Sequence, residues 1–365
     1  MSGGDDARFM ALAIALGARG LGQVWPNPAV GCVIVRDGVI LGRGWTQPGG
    51  RPHAEAMALV RAGAAARGAT AYVSLEPCAH VGKTPPCAEA LLAAGVARVV
   101  TALEDPDPRV AGRGHAILRA AGVAVTEGVL AERARAVQAG FLSRVTRGRP
   151  MVTLKLATSL DGRIATGSGE SRWITGPEAR RGVHALRMRH DAVMIGAGTA
   201  RADDPLLTVR GMGAVRQPVR VIAARMLDLP AEGALAGSVA DAPLWLLHGP
   251  TAPAERRRTW EDRGAHLVEV AEGPDGLDPG AMLAALGAAG LTRVFCEGGG
   301  QLAAALLRAG LVDQMVGFTA GLALGDEGRA AVGPLALARL ADAPRFVLEG
   351  VEEVGGDVMS RWRRA

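Results

Sequence analysis

Runs of apolar residues with two different spacings divide the first half of the chain into strands and helices. Apolar side chains recur at helical spacing between Asp5 and Arg19, and HAEAMALVRAGAAA and CAEALLAAGV predict two more helices. AVGCVIVRDGVILGRGW places two apolar runs around Asp37-Gly38, a dipeptide that is typical of a hairpin turn. ATAYVSLEPC and ARVVTALED predict buried strands. The alternation predicts an α/β domain of three layers.

A second series of strands and helices begins after GFLSRVTRGRP, a segment that has turn residues and no clear period. MVTLKLATSLDGRIA opens this series with a strand, and residues 301–309 predict a helix. Further strands are predicted at DAVMIGAG, VRVIAA, PLWLLHG, AHLVEV and TRVFCEGGG. We therefore expect two α/β domains, residues 1–148 and residues 149–365.

Composition bounds the class of protein. A chain of 365 residues with 49% apolar residues is long enough for two packed cores. The net charge of +5 would suit a nucleic-acid-binding protein, but the arginines are scattered and form no long basic run. Asp5-Asp6 stands where a signal peptide would need basic residues, and no apolar stretch reaches membrane-spanning length. We expect a soluble, cytoplasmic protein with reduced cysteines.

His53, Glu55, Cys78 and Cys87 form the strongest chemical signal in the sequence. A catalytic zinc ion takes three protein ligands and leaves one position open, and one imidazole and two thiolates can supply the three. Both cysteines lie where a strand or loop gives way to a helix, whose N-terminal N–H groups stabilise thiolates. Glu55 follows His53 by two residues, so it can serve as the general base and acid of a zinc-dependent deaminase.

A closed structural zinc site is the alternative for the same residues. Such a site would take four ligands and would need no glutamate. His80, two residues after Cys78, is the candidate for a fourth ligand. The presence of Glu55 favours the catalytic site. Cys32 and Cys296 lie in apolar strand segments and are interpreted as small buried side chains.

Four motifs of the first half closely resemble the deaminase half of the bifunctional riboflavin-biosynthesis deaminase–reductases. They are PNPAVGCVIV, PHAEAMAL, LEPCAHVGKTPPC and DPDPRVAGRG. The long loop between the two cysteines distinguishes this family from the tRNA, cytidine and guanine deaminases. The resemblance implies a cytidine-deaminase-like domain over residues 1–148. It also implies removal of the 2-amino group from 2,5-diamino-6-ribosylamino-4(3H)-pyrimidinone 5′-phosphate.

The long loop can hold the phosphate of that substrate. Lys83, His80 and the backbone N–H groups near Gly82 can donate charge-assisted hydrogen bonds to it. Lysine occurs only twice in the chain, which favours a purpose for Lys83, although a solvated surface lysine is the alternative. The resemblance implies that Asn27 bonds the pyrimidine or the ribose, and an Asn-Pro turn is the alternative for that residue.

A glycine-rich segment carries the second site. FCEGGGQLAAALL predicts a strand, a turn and a helix whose first N–H groups can approach a phosphate closely. Together with LKLATSLDGRIA, SGESRWITG, IGAGT and ARADDPLLTVR, it resembles the reductase half of the same family. The resemblance runs from about Asp6 to Phe346. It implies a dihydrofolate-reductase-like domain over residues 149–365 that uses NADPH to reduce the ribosyl group to ribityl phosphate.

The resemblance also assigns residues of the second half to two roles. The cofactor side comprises Ala157, Trp173, Thr199, Asp203, Gly299 and Gly300. The substrate side comprises Ser171, Arg187, Leu207, Arg210 and Glu297. Arg187 and Arg210 could hold the 5′-phosphate, and Glu297 could bond ribose hydroxyls or amines. Lys155 and Asp161 are candidates for supporting roles, with strand packing and a turn as their alternatives.

One departure from the family pattern stands out. Ala223-Ala224 occupies positions where the family usually has Asp followed by Ser or Thr, so a side-chain contact to the cofactor is lost. We expect an enzyme with one zinc ion and NADPH that acts on a small phosphorylated pyrimidine. We expect no nucleic-acid or membrane partner, and a homo-oligomer, either a dimer or a tetramer. The rival functions are a nucleic-acid-editing deaminase with an accessory nucleotide-binding domain and a non-catalytic nucleotide-binding regulator.

Overall fold

The computed structural model describes residues 3–79, 85–213 and 215–365. The chain forms two compact units, Met1–Gly148 and Arg149–Ala365. Each unit contains a central sheet and a buried apolar core of its own. Within the described ranges, no helix has both the length and the apolar character that crossing a membrane requires.

A mixed sheet organises the N-terminal unit. Its elements, in chain order, are α1 (Gly3–Gly17), β1 (Gly31–Arg36), β2 (Val39–Trp45), α2 (Ala54–Ala62), β3 (Thr70–Val73), α3 (Cys87–Ala93), β4 (Arg98–Thr101), α4 (Arg113–Ala120), β5 (Ala124–Thr126) and α5 (Ala131–Arg147). The strands lie in the order β2-β1-β3-β4-β5. β1 is antiparallel to β2 and β3, whereas β3, β4 and β5 run parallel to one another. The carboxyl ends of β3 and β4 therefore meet at one edge of the sheet.

Glycines allow the local turns and close packing of this unit. Asp37 and Gly38 have φ values of 52° and 76°, the left-handed backbone that a tight hairpin turn requires. A Cβ atom at Gly31 would lie 1.9 Å from the carbonyl oxygen of Ala13, so the absence of a side chain lets α1 pack directly on β1. Gly63, with a φ of 54°, ends α2 earlier than the sequence predicted, and a short 3-10 turn follows over residues 63–66.

A buried polar contact lies beside the core of the N-terminal unit. Tyr72 donates a hydrogen bond of 2.9 Å to the Asp6 carboxylate, which also accepts two hydrogen bonds from Arg98, of 2.9 and 2.7 Å. The Arg98 guanidinium holds the pKa of Asp6 below its usual value. These contacts tie α1 to β3 and β4.

A longer sheet organises the C-terminal unit. Its elements, in chain order, are β6 (Met151–Ser159), β7 (Arg163–Ala165), α6 (Pro177–Met188), β8 (Ala192–Gly196), α7 (Ala197–Asp203), β9 (Val219–Ala223), α8 (Ala234–Gly237), β10 (Leu244–His248), α9 (Ala254–Asp262), β11 (His266–Glu269), β12 (Glu272–Gly273), β13 (Gly276–Leu277), α10 (Pro279–Ala288), β14 (Arg293–Cys296), α11 (Gly300–Arg308), β15 (Gln314–Ala320), β16 (Arg329–Ala330), β17 (Phe346–Val354) and β18 (Asp357–Arg364). Nine of these strands lie in the order β11-β10-β9-β8-β14-β6-β15-β18-β17.

The strand directions of the C-terminal sheet place its loops. All neighbours from β11 to β15 run parallel, whereas β18 is antiparallel to both β15 and β17. The turns that follow β8, β9 and β14 consequently lie at one edge of the sheet. β15 and the β17–β18 hairpin were missing from the sequence prediction. Gly355-Gly356, which forms the hairpin turn with positive φ values, is the sequence signal that was overlooked.

His190 is an ordinary core histidine. Its ring nitrogens lie 2.7 Å from the Leu186 carbonyl oxygen and 3.0 Å from the Thr153 hydroxyl oxygen. Burial lowers its pKa to about 3, so the ring is neutral at physiological pH.

Candidate metal centre and nucleotide cavity

One imidazole nitrogen and two sulfur atoms meet in the N-terminal unit. His53 is the N-cap residue of α2, Cys87 is the first residue of α3, and Cys78 lies in the turn after β3. The Nδ1 atom of His53 lies 3.3 Å from the sulfur of Cys87 and 3.6 Å from that of Cys78. All three donor atoms lie within 4.8 Å of one another.

This spacing fits a zinc ion. Tetrahedral zinc with ordinary Zn–N and Zn–S bond lengths places its nitrogen and sulfur ligands about 3.6 Å apart. The two observed nitrogen–sulfur distances, 3.3 and 3.6 Å, are close to that value. An imidazole and two sulfurs are also a donor set that zinc prefers.

The start of α3 favours the ionised thiolate form of Cys78. The backbone N–H of Cys87 donates to the Cys78 sulfur at 3.3 Å, and the N–H of Ala88 donates to the Cys78 carbonyl oxygen at 3.2 Å. Hydrogen bonds from the Cys87 thiol and the His53 ring lower the pKa of Cys78 to about 4. The bond to Cys78 and burial raise the pKa of Cys87. A cation must therefore displace the Cys87 proton before both sulfurs can ligate it.

Glu55 lies beside the donor atoms in the first turn of α2 and is only 3% exposed. Burial raises its pKa to about 7, and the negative charge of Cys78 acts in the same direction. A carboxyl group with this pKa can take up and release a proton near neutral pH.

Of the three residues expected to bind the deaminase substrate, the structure describes only Asn27. The Asn27 amide donates a hydrogen bond of 2.8 Å to the Gly50 carbonyl oxygen, a contact that supports the turn alternative for this amide. A Cβ atom at Gly50 would lie 2.6 Å from the same amide nitrogen. His80 and Lys83 lie outside the described residues.

Two glycine turns meet in the C-terminal unit, at the ends of the neighbouring strands β8 and β14. A Cβ atom at Gly298 would lie 2.9 Å from the backbone nitrogen of Gly196, so the two turns can approach this closely only without a side chain there. The N–H of Gly299 donates to the Thr199 hydroxyl at 3.0 Å. Gly300 is the first residue of α11, and its turn presents helix N–H groups at the edge of the sheet.

A cavity of about 680 Å³ opens beside these turns. Its lining includes Gly196, Ala197, Ala223, Gln301, Leu302, Arg201, Arg225 and Arg308. Its volume and its position at the carboxyl ends of parallel strands suit a nucleotide. Ala223, one of the two residues that depart from the family pattern, lies on its wall. The three arginines carry no distinguishing signal in the sequence, because arginine is common along the whole chain.

The remaining residues expected on the cofactor side lie on several elements. Ala157 is on β6, and Asp203 ends α7, where its carbonyl oxygen accepts a 2.9 Å hydrogen bond from Arg172. Trp173 is 67% exposed, and the guanidinium of Arg180 lies 4.5 Å from the centre of its ring. A hydrogen bond joins Thr199 to Gly299. Trp173 lies in the loop before α6.

An ion pair organises the residues expected on the substrate side. The Nε and Nη2 atoms of Arg187 donate to the two carboxylate oxygens of Glu297 at 2.5 and 3.0 Å, and Nη1 donates to the Thr208 carbonyl oxygen at 2.9 Å. Burial acts to raise the pKa of Glu297, but the charges of Arg187 and Lys155 outweigh it and lower that pKa. Burial and the charge of Arg187 lower the pKa of Lys155. Lys155, Arg187 and Glu297 thus form one charged cluster.

Ser171, Leu207 and Arg210 complete the set expected on the substrate side. Ser171 is half-buried in the loop between β7 and α6, and Leu207 is buried with a φ of 55°. Arg210 is exposed, and its backbone N–H donates to His184 at 3.2 Å.

Asp161 is a turn residue. Its carboxylate accepts hydrogen bonds from the backbone N–H groups of Leu324 and Gly325. The hydroxyl of Ser159 also donates to it and is the main cause that lowers its pKa to about 2. These contacts favour the turn alternative over a supporting catalytic role.

Fold and donor set together define a zinc-dependent deaminase of the cytidine-deaminase type joined to a second α/β enzyme unit. The family of the cytidine and deoxycytidylate deaminase zinc-binding region matches residues 4–103. The family of the RibD C-terminal domain matches residues 150–360.

Relatives match the chain over nearly its full length. The riboflavin biosynthesis protein RibD of Escherichia coli (strain K12) is 41% identical over 375 residues, which cover 97% of this chain and 98% of that protein. Acinetobacter baumannii RibD has a solved structure with 39% identity and a TM-score of 0.90, and the match covers 100% of both chains. The diaminohydroxyphosphoribosylaminopyrimidine deaminase/5-amino-6-(5-phosphoribosylamino)uracil reductase of Thermotoga maritima is 33% identical, with a TM-score of 0.87 over 100% of this chain and 99% of that one. The chain belongs to the RibD family.

These matches confirm several predictions from the sequence. The chain is a bifunctional deaminase and reductase of riboflavin biosynthesis, with a cytidine-deaminase-like N-terminal domain and a C-terminal reductase domain. Its cofactors are zinc and NADPH, and it acts on a small molecule. The same matches favour this function over that of a nucleic-acid-editing deaminase.

Replacing one thiolate should remove the metal. We predict that Cys87→Ser lowers the zinc content from about one ion per chain to below about a tenth of that, because a neutral hydroxyl is a poor substitute for a thiolate ligand. Zinc per chain would be measured by plasma mass spectrometry after dialysis against a weak chelator. Cys296→Ser, at a buried cysteine of the other unit, is the matched control and should keep its zinc. Full zinc content in Cys87→Ser would contradict the prediction.

Proposed function

We propose that residues 1–148 deaminate 2,5-diamino-6-ribosylamino-4(3H)-pyrimidinone 5′-phosphate and that residues 149–365 then reduce the ribosyl group of the product to a ribityl group. The observation that carries the proposal is the buried Glu55 beside the donors of His53, Cys78 and Cys87. The activities named for the Thermotoga maritima relative support the choice of substrate.

Hydrolysis in the first unit needs an activated water and a proton carrier. His53, Cys78 and Cys87 would hold the zinc ion, which would supply the Lewis acidity that activates water at neutral pH. Glu55 takes a proton from the attacking water and delivers a proton to the leaving nitrogen, so that the C–N bond breaks and ammonia leaves. Its raised pKa, about 7, supports both halves of this role.

Binding of the first substrate is assigned to three residues. We infer that Lys83 and His80 contact the phosphate, since a cationic side chain and an imidazole can both donate charge-assisted hydrogen bonds. Asn27 contacts the pyrimidine or the ribose through the part of its amide that does not bond Gly50. Together these contacts would place the 2-amino group at the metal centre.

The cofactor of the second unit is assigned to the edge that carries the two glycine turns. NADPH supplies the hydride for the reduction. The residues proposed to bind it are Ala157, Trp173, Thr199, Asp203, Gly299 and Gly300. None of these six residues lines the 680 Å³ cavity, whose wall on α11 begins with Gln301 and Leu302. The first N–H groups of α11 support the placement, because a helix N-terminus attracts phosphate.

The substrate side of the second unit is assigned to the charged cluster and its neighbours. Glu297 would accept hydrogen bonds from the ribose hydroxyls or amines, and Arg187 would fix the orientation of its carboxylate. Arg210, which is exposed, is the more accessible arginine for the 5′-phosphate. Lys155 can release a proton more readily than an ordinary lysine and would support proton transfer during the reduction. Ser171 and Leu207 complete the proposed site.

Assembly and location belong to the same proposal. The β17–β18 hairpin exposes four large apolar side chains, which supports assembly into a dimer or tetramer through this surface: Val347, Leu348, Val351 and Val358. All four cysteines are free thiols that form no disulfide, which supports a reducing, cytoplasmic setting.

Removing the proton carrier should stop the first step alone. We expect Glu55→Gln to lower kcat for deamination by about 10² to 10⁴, because the amide cannot move a proton. Its zinc content and its NADPH-dependent reduction of the deaminated product should equal those of the unsubstituted protein. Deamination would be followed by ammonia release. Glu89→Gln, at an exposed glutamate of α3, is the control, and deamination by Glu55→Gln within tenfold of that control would refute the role.

Removing the charge of Glu297 should impair the reduction and leave deamination unchanged. We expect Glu297→Gln to lower kcat/KM for NADPH-dependent reduction by about 100-fold, because Arg187 loses its charged partner and the substrate is no longer oriented. Loss of NADPH absorbance would report reduction, and ammonia release would report an unchanged deamination. Glu349→Gln, at an exposed residue of β17, is the control. Unimpaired reduction by Glu297→Gln would show that the cluster lies outside the site.

A further inference from the structure

Glu76 connects the two loops that leave neighbouring parallel strands of the N-terminal sheet. It follows β3, two residues before the zinc donor Cys78. The other loop, residues 102–112, follows β4 and leads into α4. Both loops lie at the carboxyl edge of the sheet, where ligand sites of α/β sheets are found.

The Glu76 carboxylate accepts four backbone hydrogen bonds from the second loop and α4. Its Oε2 atom accepts from the N–H groups of Asp105 at 3.2 Å and Gly112 at 3.0 Å. Its Oε1 atom accepts from those of Gly114 at 2.8 Å and His115 at 3.2 Å. The side chain is buried, so water does not compete for these donors. Gly112 is the N-cap residue of α4, and the carboxylate therefore caps this helix from a distant part of the chain.

Only a carboxylate can satisfy this arrangement. An ionised carboxylate is purely an acceptor, with about four acceptor positions on its two oxygens. An amide in its place would turn one of the two oxygens into an N–H₂ group that faces two N–H donors. Glutamine at position 76 would thus lose two hydrogen bonds and place donors against donors without changing the size of the side chain.

The turn that carries Cys78 is also packed against α4 directly. A Cβ atom at Gly114 would lie 2.0 Å from the Pro77 carbonyl oxygen and 3.1 Å from Oε1 of Glu76. On its other side the turn is held by α3, through the hydrogen bonds from Cys87 and Ala88 to Cys78. Cys78 is therefore fixed between α3 and the α4 segment that Glu76 anchors.

We propose that Glu76 is a positioning residue of the metal centre. It anchors the start of α4 to the Pro77-Cys78 turn and so holds the Cys78 sulfur at ligating distance from His53 and Cys87. The inference rests on the proposed zinc-dependent deamination by these residues. Among its described contacts, Glu76 accepts hydrogen bonds from four backbone groups and lies 3.9 Å from the Nδ1 atom of His115. None of these partners is a zinc donor, so the effect of Glu76 on the reaction passes through Cys78.

The test compares zinc affinity, cobalt spectra and kinetics in Glu76→Gln. Zinc affinity, measured by competition with a chelating indicator, should fall about 10- to 100-fold, the usual effect of losing a group that orients a metal ligand. The thiolate-to-cobalt absorption of the cobalt-substituted protein should change. The kcat for deamination at saturating zinc should fall more than KM rises, and NADPH-dependent reduction by the same chain should not change.

Two further variants separate positioning from simple loss of stability. Asp6→Asn removes another buried, hydrogen-bonded carboxylate of the same unit, one that bonds Tyr72 and Arg98 and none of the zinc donors. It should lower Tm but leave zinc affinity and the cobalt spectrum unchanged. Gly114→Ala disturbs the same contact from the α4 side and should weaken zinc binding in the same direction as Glu76→Gln. If Glu76→Gln does not fold, Gly114→Ala and the shorter Glu76→Asp provide the same comparison.

The outcomes distinguish the inference from the proposed function. Unchanged zinc affinity and an unchanged cobalt spectrum in the Glu76 variants would overturn the positioning role. An equal loss of zinc affinity in Asp6→Asn would also overturn it, since the effect would then follow stability. If the unsubstituted protein binds zinc but releases no ammonia from the pyrimidine substrate, the proposed deamination fails, while the zinc affinities still decide the role of Glu76.

Discussion

The convergence of three donor atoms at one edge of a sheet is the constraint on which the rest of the N-terminal unit depends. His53, Cys78 and Cys87 lie 25 and 9 residues apart along the chain, yet their donor atoms lie within 4.8 Å of one another. They meet because α2 and α3 both begin beside the turn that follows β3. Two helix starts also provide the N–H groups and the positive potential that thiolates need. A shift of any one of these elements would separate the ligands.

Burial of charged groups recurs at both proposed sites. Glu55 is buried close to a thiolate, which keeps a proton available near neutral pH. In the C-terminal unit, Glu297 is kept ionised by Arg187 and Lys155. Buried charges are costly unless they are paired or serve a purpose, so such clusters mark functional sites more often than surface charges do. The two units thus use the same physical means for different chemistry.

The sequence singled out His53, Cys78, Cys87 and Glu55 because their residue types and spacing are rare, and the structure brings the three donor atoms within 4.8 Å of one another. The β1–β2 hairpin was equally clear, since Asp37-Gly38 allows few other turns. The length of α2 was wrong because Gly63 ends the helix by its backbone conformation, which apolar spacing does not reveal. Glu76 was overlooked although it lies inside a quoted motif, because its four partners are backbone groups about 30 to 40 residues away. The pairing of Arg187 with Glu297, 110 residues apart, likewise depends on tertiary structure alone.

Mass-detected turnover of the diaminopyrimidinone ribosylamino phosphate by the zinc-loaded protein is the decisive test of the two-step reaction. Without NADPH, we expect a product heavier by about one mass unit, because an amine is replaced by oxygen. With NADPH, we expect a further gain of about two mass units, from one hydride and one proton. If the substrate keeps its mass in the presence of zinc-replete protein, with or without NADPH, the chain does not catalyse the proposed reactions.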